Sequence, residues 1–155
     1  MYVLVYVNEL QTDSRRIIES QLKKHCQHLI HVVTATLVDP LSQLTHRIDG
    51  AKAKEGQPDG TTIKTLSPKE VHESVAQSFK VLRQMWPEIR STFSLYIGVK
   101  ETEDILLQSI KKAIISSFSS IHSFTESNFN EEQRQIASVP NNEQVSDSFY
   151  SLDRE

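Results

Sequence analysis

Apolar residues recur at steps of three and four along most of this chain, the pattern of helices that bury one face. Between Asn8 and Leu37, the residues Ile18, Leu22, Cys26, Leu29, Val33 and Leu37 share a face and predict a first helix. Asp39-Pro40 interrupts it, because proline lacks an amide hydrogen and crowds the preceding turn. Leu41, Leu44 and Ile48 predict a short second helix that ends near Gly50. Over 56–66 the periodicity is lost and Gly, Pro, Asp and Thr collect, which predicts a loop.

Ser67-Pro68-Lys69-Glu70 is a helix start: Ser67 caps, Pro68 sits where a missing amide costs nothing, and Glu70 completes a capping box. The strongest periodic signal follows. Val71, Val75, Phe79, Leu82, Trp86, Ile89, Phe93, Tyr96 and Ile97 fall within about one third of the helix circumference. The register runs through Pro87 without a phase jump, predicting one helix from Pro68 to about Ile97 with a kink near Gln84. The competing reading is two helices split at Trp86. Gly98 stops the helix. The next runs from about Glu101 to Phe124 on a stripe of Leu106, Ile110, Ala113, Ile114, Phe118, Ile121 and Phe124. Asn130-Glu131-Glu132-Gln133 predicts a second capping box and a short helix, and the polar residues beyond Pro140 predict disorder. The expected fold is all-α. It is an elongated bundle of antiparallel amphipathic helices in one domain over 1–139, with a disordered tail over 140–155.

At 155 residues the chain is long enough for one domain with its own core. A hydrophobic fraction of 37% favours long helices with large exposed faces, and only 4 Gly and 5 Pro argue against a turn-rich β-sandwich. A net charge of -3 disfavours nucleic-acid binding, which needs a surplus of Lys and Arg. No stretch reaches the roughly 18 apolar residues of a membrane span. Tyr2 to Val7 is apolar but too short, and lacks the basic start, for a signal peptide. The single cysteine, Cys26, has no internal disulfide partner, which fits a reducing compartment.

Chemistry is sparse. His25, His28 and His31 beside Cys26 invite a metal site, and a metal-dependent enzyme built on His25 and His28 is the remotest function considered. Three-residue spacing rotates each histidine by about 60°, so the three fan out, and no matching ligand cluster lies elsewhere. Cys26 sits on the apolar stripe, where a thiol packs as a small hydrophobe. Glu101, Glu103 and Asp104 are accounted for by the positive end of a helix dipole. Gly56 to Gly60 lacks the Walker pattern, and the serines from Ser116 to Ser127 suit a solvated helix face. No catalytic, cofactor or metal site is expected. Ile105 and Ile115 lie off the main stripe of their helix, as Val81, Leu95 and Val99 do on theirs. This second partial face points to partner binding.

Specific residues carry a family resemblance. Ser94-Leu95-Tyr96-Ile97, the acidic Lys100-Glu101-Thr102-Glu103 turn and the apolar run Ile105 to Leu107 resemble subunit 3 of the conserved oligomeric Golgi complex, a vesicle-tethering assembly. Phe129-Asn130-Glu131-Glu132-Gln133 and Gln135 to Pro140 extend the similarity, which is best from Leu66 to Pro140. The resemblance implies the C-terminal portion of a longer helical rod, with Tyr2 to Val7 the middle of a severed helix. It implies a non-enzymatic tether subunit, peripheral on the cytosolic face of Golgi membranes. The role implied is intra-Golgi retrograde vesicle transport and, through it, retention of glycosylation enzymes. Implied partners are the other tether subunits, membrane-fusion proteins, small GTPases and coat proteins. The alternative is an unrelated cytosolic helical interaction module.

Overall fold

The computed structural model describes residues 2–54 and 66–154, with side chains over 11–50 and 66–154. The predicted loop over 56–66, with the Gly56 to Gly60 segment, lies outside the described residues except for Leu66, which is buried. The described residues form six helices: α1 (Tyr2–Leu37), α2 (Asp39–Lys54), α3 (Pro68–Ile97), α4 (Lys100–Asn128), α5 (Glu131–Ala137) and α6 (Asn142–Leu152). The fold is an all-α bundle, as the periodicity predicts.

Helices α3 and α4 form its centre. They are joined by Gly98, left-handed at φ 67°, and by Val99, a connection so short that the two helices run antiparallel. Val71, Val75, Leu82, Trp86 and Phe93 of α3 meet Leu106, Ile110, Ile114, Phe118 and Ile121 of α4, all buried in one cluster. The Phe79 and Phe118 rings lie 4.9 Å apart between centroids. Around this pair, α2 packs on both central helices through Leu41, Leu44 and Ile48, and the end of α1 does so through Leu37. Only Val38 separates α1 from α2, with Pro40 in the first turn of α2, where its missing amide leaves no gap.

Local chemistry sets the boundaries. At α3, Glu70 N–H donates to Ser67 Oγ (3.2 Å) and Ser67 N–H to Glu70 Oε2 (3.0 Å), the predicted capping box. Hydrogen bonding from the Ser67 backbone, then the Arg47 charge, hold the Glu70 carboxyl below its usual range. The helix continues unbroken through Pro87, so the split at Trp86 does not occur. Asn130 and Gln133 exchange the same two bonds at α5 (2.9 and 3.1 Å), again as predicted.

Two expectations are corrected. The residues after Pro140 are not a disordered tail up to the last described residue. A third capping box, between Asn141 and Gln144, starts α6, and Val145, Phe149 and Leu152 are buried at i, i+4 and i+7 against α3 and α4. Asp153 then fastens the helix. Its carboxylate accepts from Trp86 Nε1 at 3.0 Å, pairs with Lys111, and lies 3.5 Å from Arg90. The Phe149 ring meets Trp86 edge-on at 4.9 Å, and the Lys111 ammonium sits 5.6 Å from both ring centroids. Three apolar residues in a polar background are enough here because each one is fully inserted.

The second correction concerns α1. Of its predicted stripe, Leu37 is buried and Cys26 and Val33 are half-buried, but Ile18, Leu22 and Leu29 face solvent. Every residue from Gln11 to His25 is exposed. The periodicity marks an apolar face correctly, yet in the described structure α3 and α4 cover only its C-terminal part.

Candidate partner-binding surfaces

The residues singled out for chemistry are dispersed. His25, His28 and His31 are all exposed along α1, and Cys26 is half-buried against the core. Among the described residues no group of three or more His, Cys, Asp or Glu is placed to hold a metal ion. Of the three carboxylates at the start of α4, Glu103 is buried, while Lys100 bridges it at 3.6 Å and Asp104 at 3.0 Å. The hydrogen bond and charge of Asp104, with Glu103 adding to them, hold the Lys100 ammonium above its usual range. That arrangement neutralises a helix start and leaves no acid–base pair.

Two clefts open on the bundle. One, of about 530 Å³, runs between α2 and α4 and is lined by Thr45, Asp49, Ser116, Ser120, Ser123 and Ser127. The serine face of α4 therefore borders a groove in part, where a freely solvated surface was expected. The other, also about 530 Å³, lies among α3, α4, α5 and α6, beside His72, His122, Arg134 and Ser148. Its one cation is already engaged: Arg134 donates to the carbonyls of Phe129 and Glu126 and pairs with the Glu126 carboxylate at 3.3 Å. His72 Nδ1 lies 3.3 Å from the Ala137 carbonyl oxygen.

The surfaces left to a partner are apolar. The proposed second face is split. Leu95, Val99 and Ile105 are exposed, at 75%, 52% and 66%, near the turn between α3 and α4. Val81 and Ile115 are half-buried and pack against the core, so the chain itself covers most of them. Tyr96 takes their place. The sequence assigns it to the core stripe of α3, but it stands at the stripe's edge in the last turn and is 80% exposed. Four large apolar side chains thus surround one helix–helix turn.

The arm of α1 is the second such surface. Ile17, Ile18, Leu22, Leu29 and Val32 are exposed along it. Sequence reading placed three of these in the core. Ile17 and Val32, off the predicted stripe, were the sign that the apolar face is wider than one helix neighbour covers.

Comparison with known proteins gives one consistent family. The family model for the COG3 C-terminal cap domain matches residues 21–152. The conserved oligomeric Golgi complex subunit 3 of Homo sapiens is 27% identical over 144 residues, covering 90% of this chain and 17% of the relative. The Mus musculus subunit is 26% identical over 143 residues, again covering 90% of this chain and 17% of the relative. That of Dictyostelium discoideum is 25% identical over 135 residues, covering 84% and 14%. The chain therefore spans about 17% of the length of the first of these relatives. No solved structure matches it.

Proposed function

The chain belongs to the COG3 C-terminal cap domain family, and from that premise we propose that it acts as the cap region of a Golgi tethering-complex subunit. The observation that carries the reading is the family match over 21–152, which takes in the end of α1 and all of α2 to α6. The physical character of the surface agrees with it. What the fold offers a partner is exposed apolar helix surface, at the α3–α4 turn and along α1, which suits protein–protein contact.

Within that reading the work is non-enzymatic. The cap contributes contact surface to an assembly that captures vesicles in intra-Golgi retrograde transport, and so helps retain glycosylation enzymes. Its first partners are the other subunits of the complex, with fusion proteins, small GTPases and coat proteins engaged by the assembly as a whole. No described helix is long and apolar enough to cross a membrane. Attachment to the cytosolic face of the Golgi then runs through the complex. The residues proposed to meet partners are Leu95, Val99 and Ile105, joined by Tyr96; Val81 and Ile115 contribute at their edges.

Affinity purification of the tagged native protein from gently lysed cells, followed by mass spectrometry, tests this. Recovery of the other tether subunits is the expected result. Recovery of a partner set wholly outside membrane traffic overturns it.

A further inference from the structure

We infer that the exposed arm of α1 is a docking seam for one amphipathic helix of another polypeptide, apolar along its contact line and acidic at its flanks. The inference goes beyond the assignment to a tether and does not depend on it. It starts from spacing. At 100° per residue, Ile18, Leu22, His25, Leu29 and Val32 fall within about 80° of the helix circumference. Their steps of four, three, four and three are those of a helix-on-helix seam. The four apolar members are exposed, Ile18 and Leu22 by 65% and 61%.

The seam continues an existing contact. About 90° round the same helix, Cys26, Ile30, Val33 and Leu37 pack against the core, where α4 and α3 meet α1. The apolar surface of α1 is thus wide enough for two helix neighbours over 26–37, and the described structure supplies one. Further back, over 11–25, it supplies none.

Charge selects among occupants. Residues 11–31 carry Arg15, Arg16, Lys23 and Lys24 against Asp13 and Glu19, a net positive arm on a chain whose total is -3. Arg15 is paired with Glu19 at 3.0 Å, which leaves Arg16, Lys23 and Lys24 as the uncompensated charge. A second arm from another copy brings the same sign, and repels. A partner helix with glutamates beside its apolar line is attracted, and like charges are rejected. A bilayer is the weaker fit: the arm has no aromatic residue over 11–31, and its apolar positions form a narrow line where a lipid-facing helix presents a broad face.

The test uses the whole chain and two synthetic amphipathic helices with leucine at alternating steps of three and four. One carries glutamate at the flanking positions and the other lysine. Fluorescence anisotropy is expected to show micromolar binding of the glutamate peptide, weakened roughly tenfold on raising salt from physiological to molar levels. The Ile18→Asp, Leu22→Asp double variant is expected to lose it, and Tyr96→Asp at the other apolar surface to keep it. Both substituted positions are exposed, so the fold is retained, and circular dichroism checks this. Absence of glutamate-peptide binding overturns the proposal, as does equal binding of the lysine peptide. So does binding that survives the double variant. Light scattering that shows a dimer abolished by the double variant assigns the seam to a second copy. Stripe-dependent pelleting with phosphatidylserine vesicles assigns it to a membrane.

Discussion

The indole Nε1 of Trp86 donates to Oδ1 of Asp153 across 3.0 Å, tying the middle of α3 to the residue that follows α6. Trp86 is fully buried, so Asp153→Ala leaves its N–H without an acceptor and Lys111 without a carboxylate. An orphaned buried donor costs about 1–3 kcal/mol, and thermal unfolding followed by circular dichroism is expected to show a loss in that range. An unchanged midpoint means that α6 is not fastened this way in solution.

The same contact has a pH signature. Burial, the largest single influence, pushes the Asp153 carboxyl up. Hydrogen bonds from Lys111 and Trp86, with the charges of Lys111 and Arg90, outweigh it and hold the group below the usual carboxylate range. With the native value below the unfolded one, the unfolded state binds more protons between the two. The stabilisation is fully present above the ordinary aspartate value of about 3.9 and is lost as pH falls through the depressed value. Trp86 is the only tryptophan, so its fluorescence reports the loss directly. Urea midpoints measured on acidification below about pH 4 are expected to fall more steeply for the native chain than for Asp153→Asn.

Ser78 is 1% exposed on α3, and its hydroxyl has no hydrogen-bond partner. A buried hydroxyl without a partner is a standing cost, and serine is also a poorer helix former than alanine. Ser78→Ala is expected to raise stability by roughly 0.5–1.5 kcal/mol, read from denaturant midpoints. A drop of similar size shows that the hydroxyl makes a bond in solution.

Two leucines of α1 behave oppositely. Leu37 is 1% exposed, and Leu37→Ala is expected to cost about 2–5 kcal/mol through lost burial and a cavity. Leu22→Ala removes an exposed side chain and is expected to stay within about 0.5 kcal/mol. If Leu22→Ala is as damaging as Leu37→Ala, the arm is packed on the bundle in solution.

Asn141 caps α6 by accepting from Gln144 N–H at 2.9 Å. Asn141→Ala is expected to cost about 1 kcal/mol. Hydrogen exchange should locate the loss: faster exchange in 142–152 with α3 unchanged is the expected result, and uniform acceleration contradicts it.

Where one apolar stripe was dense and its ends were capped, the sequence predicted the elements closely. Pro68 to Ile97 comes out at its predicted limits because Ser67, Glu70 and Gly98 act locally, and α5 is recovered for the same reason. Helix α6 was overlooked although Asn141 and Gln144 repeat the capping pattern of Asn130 and Gln133. Its three apolar residues are too few to stand out until Trp86 and Lys111 are placed opposite them. The candidate surface was legible only in part, since a helix wheel shows that a residue is apolar and not which neighbour covers it. Val81 and Ile115 were covered by the chain's own packing, while Tyr96 and Leu22, both on predicted core stripes, were left outside.

The arm of α1 also has a mechanical consequence. From Cys26, the first residue whose side chain packs on the bundle, the helix continues back to Tyr2, about 36 Å at 1.5 Å per residue. A rod held at one end is a lever. A tilt of about 10° at Cys26, which the half-buried contacts of Ile30 and Val33 absorb by small side-chain adjustments, sweeps Tyr2 through about 6 Å. Sub-ångström play in the bundle becomes several ångströms of reach at the far end. Whatever the arm grips is positioned by the stiffness of residues 26–37 more than by its own contacts.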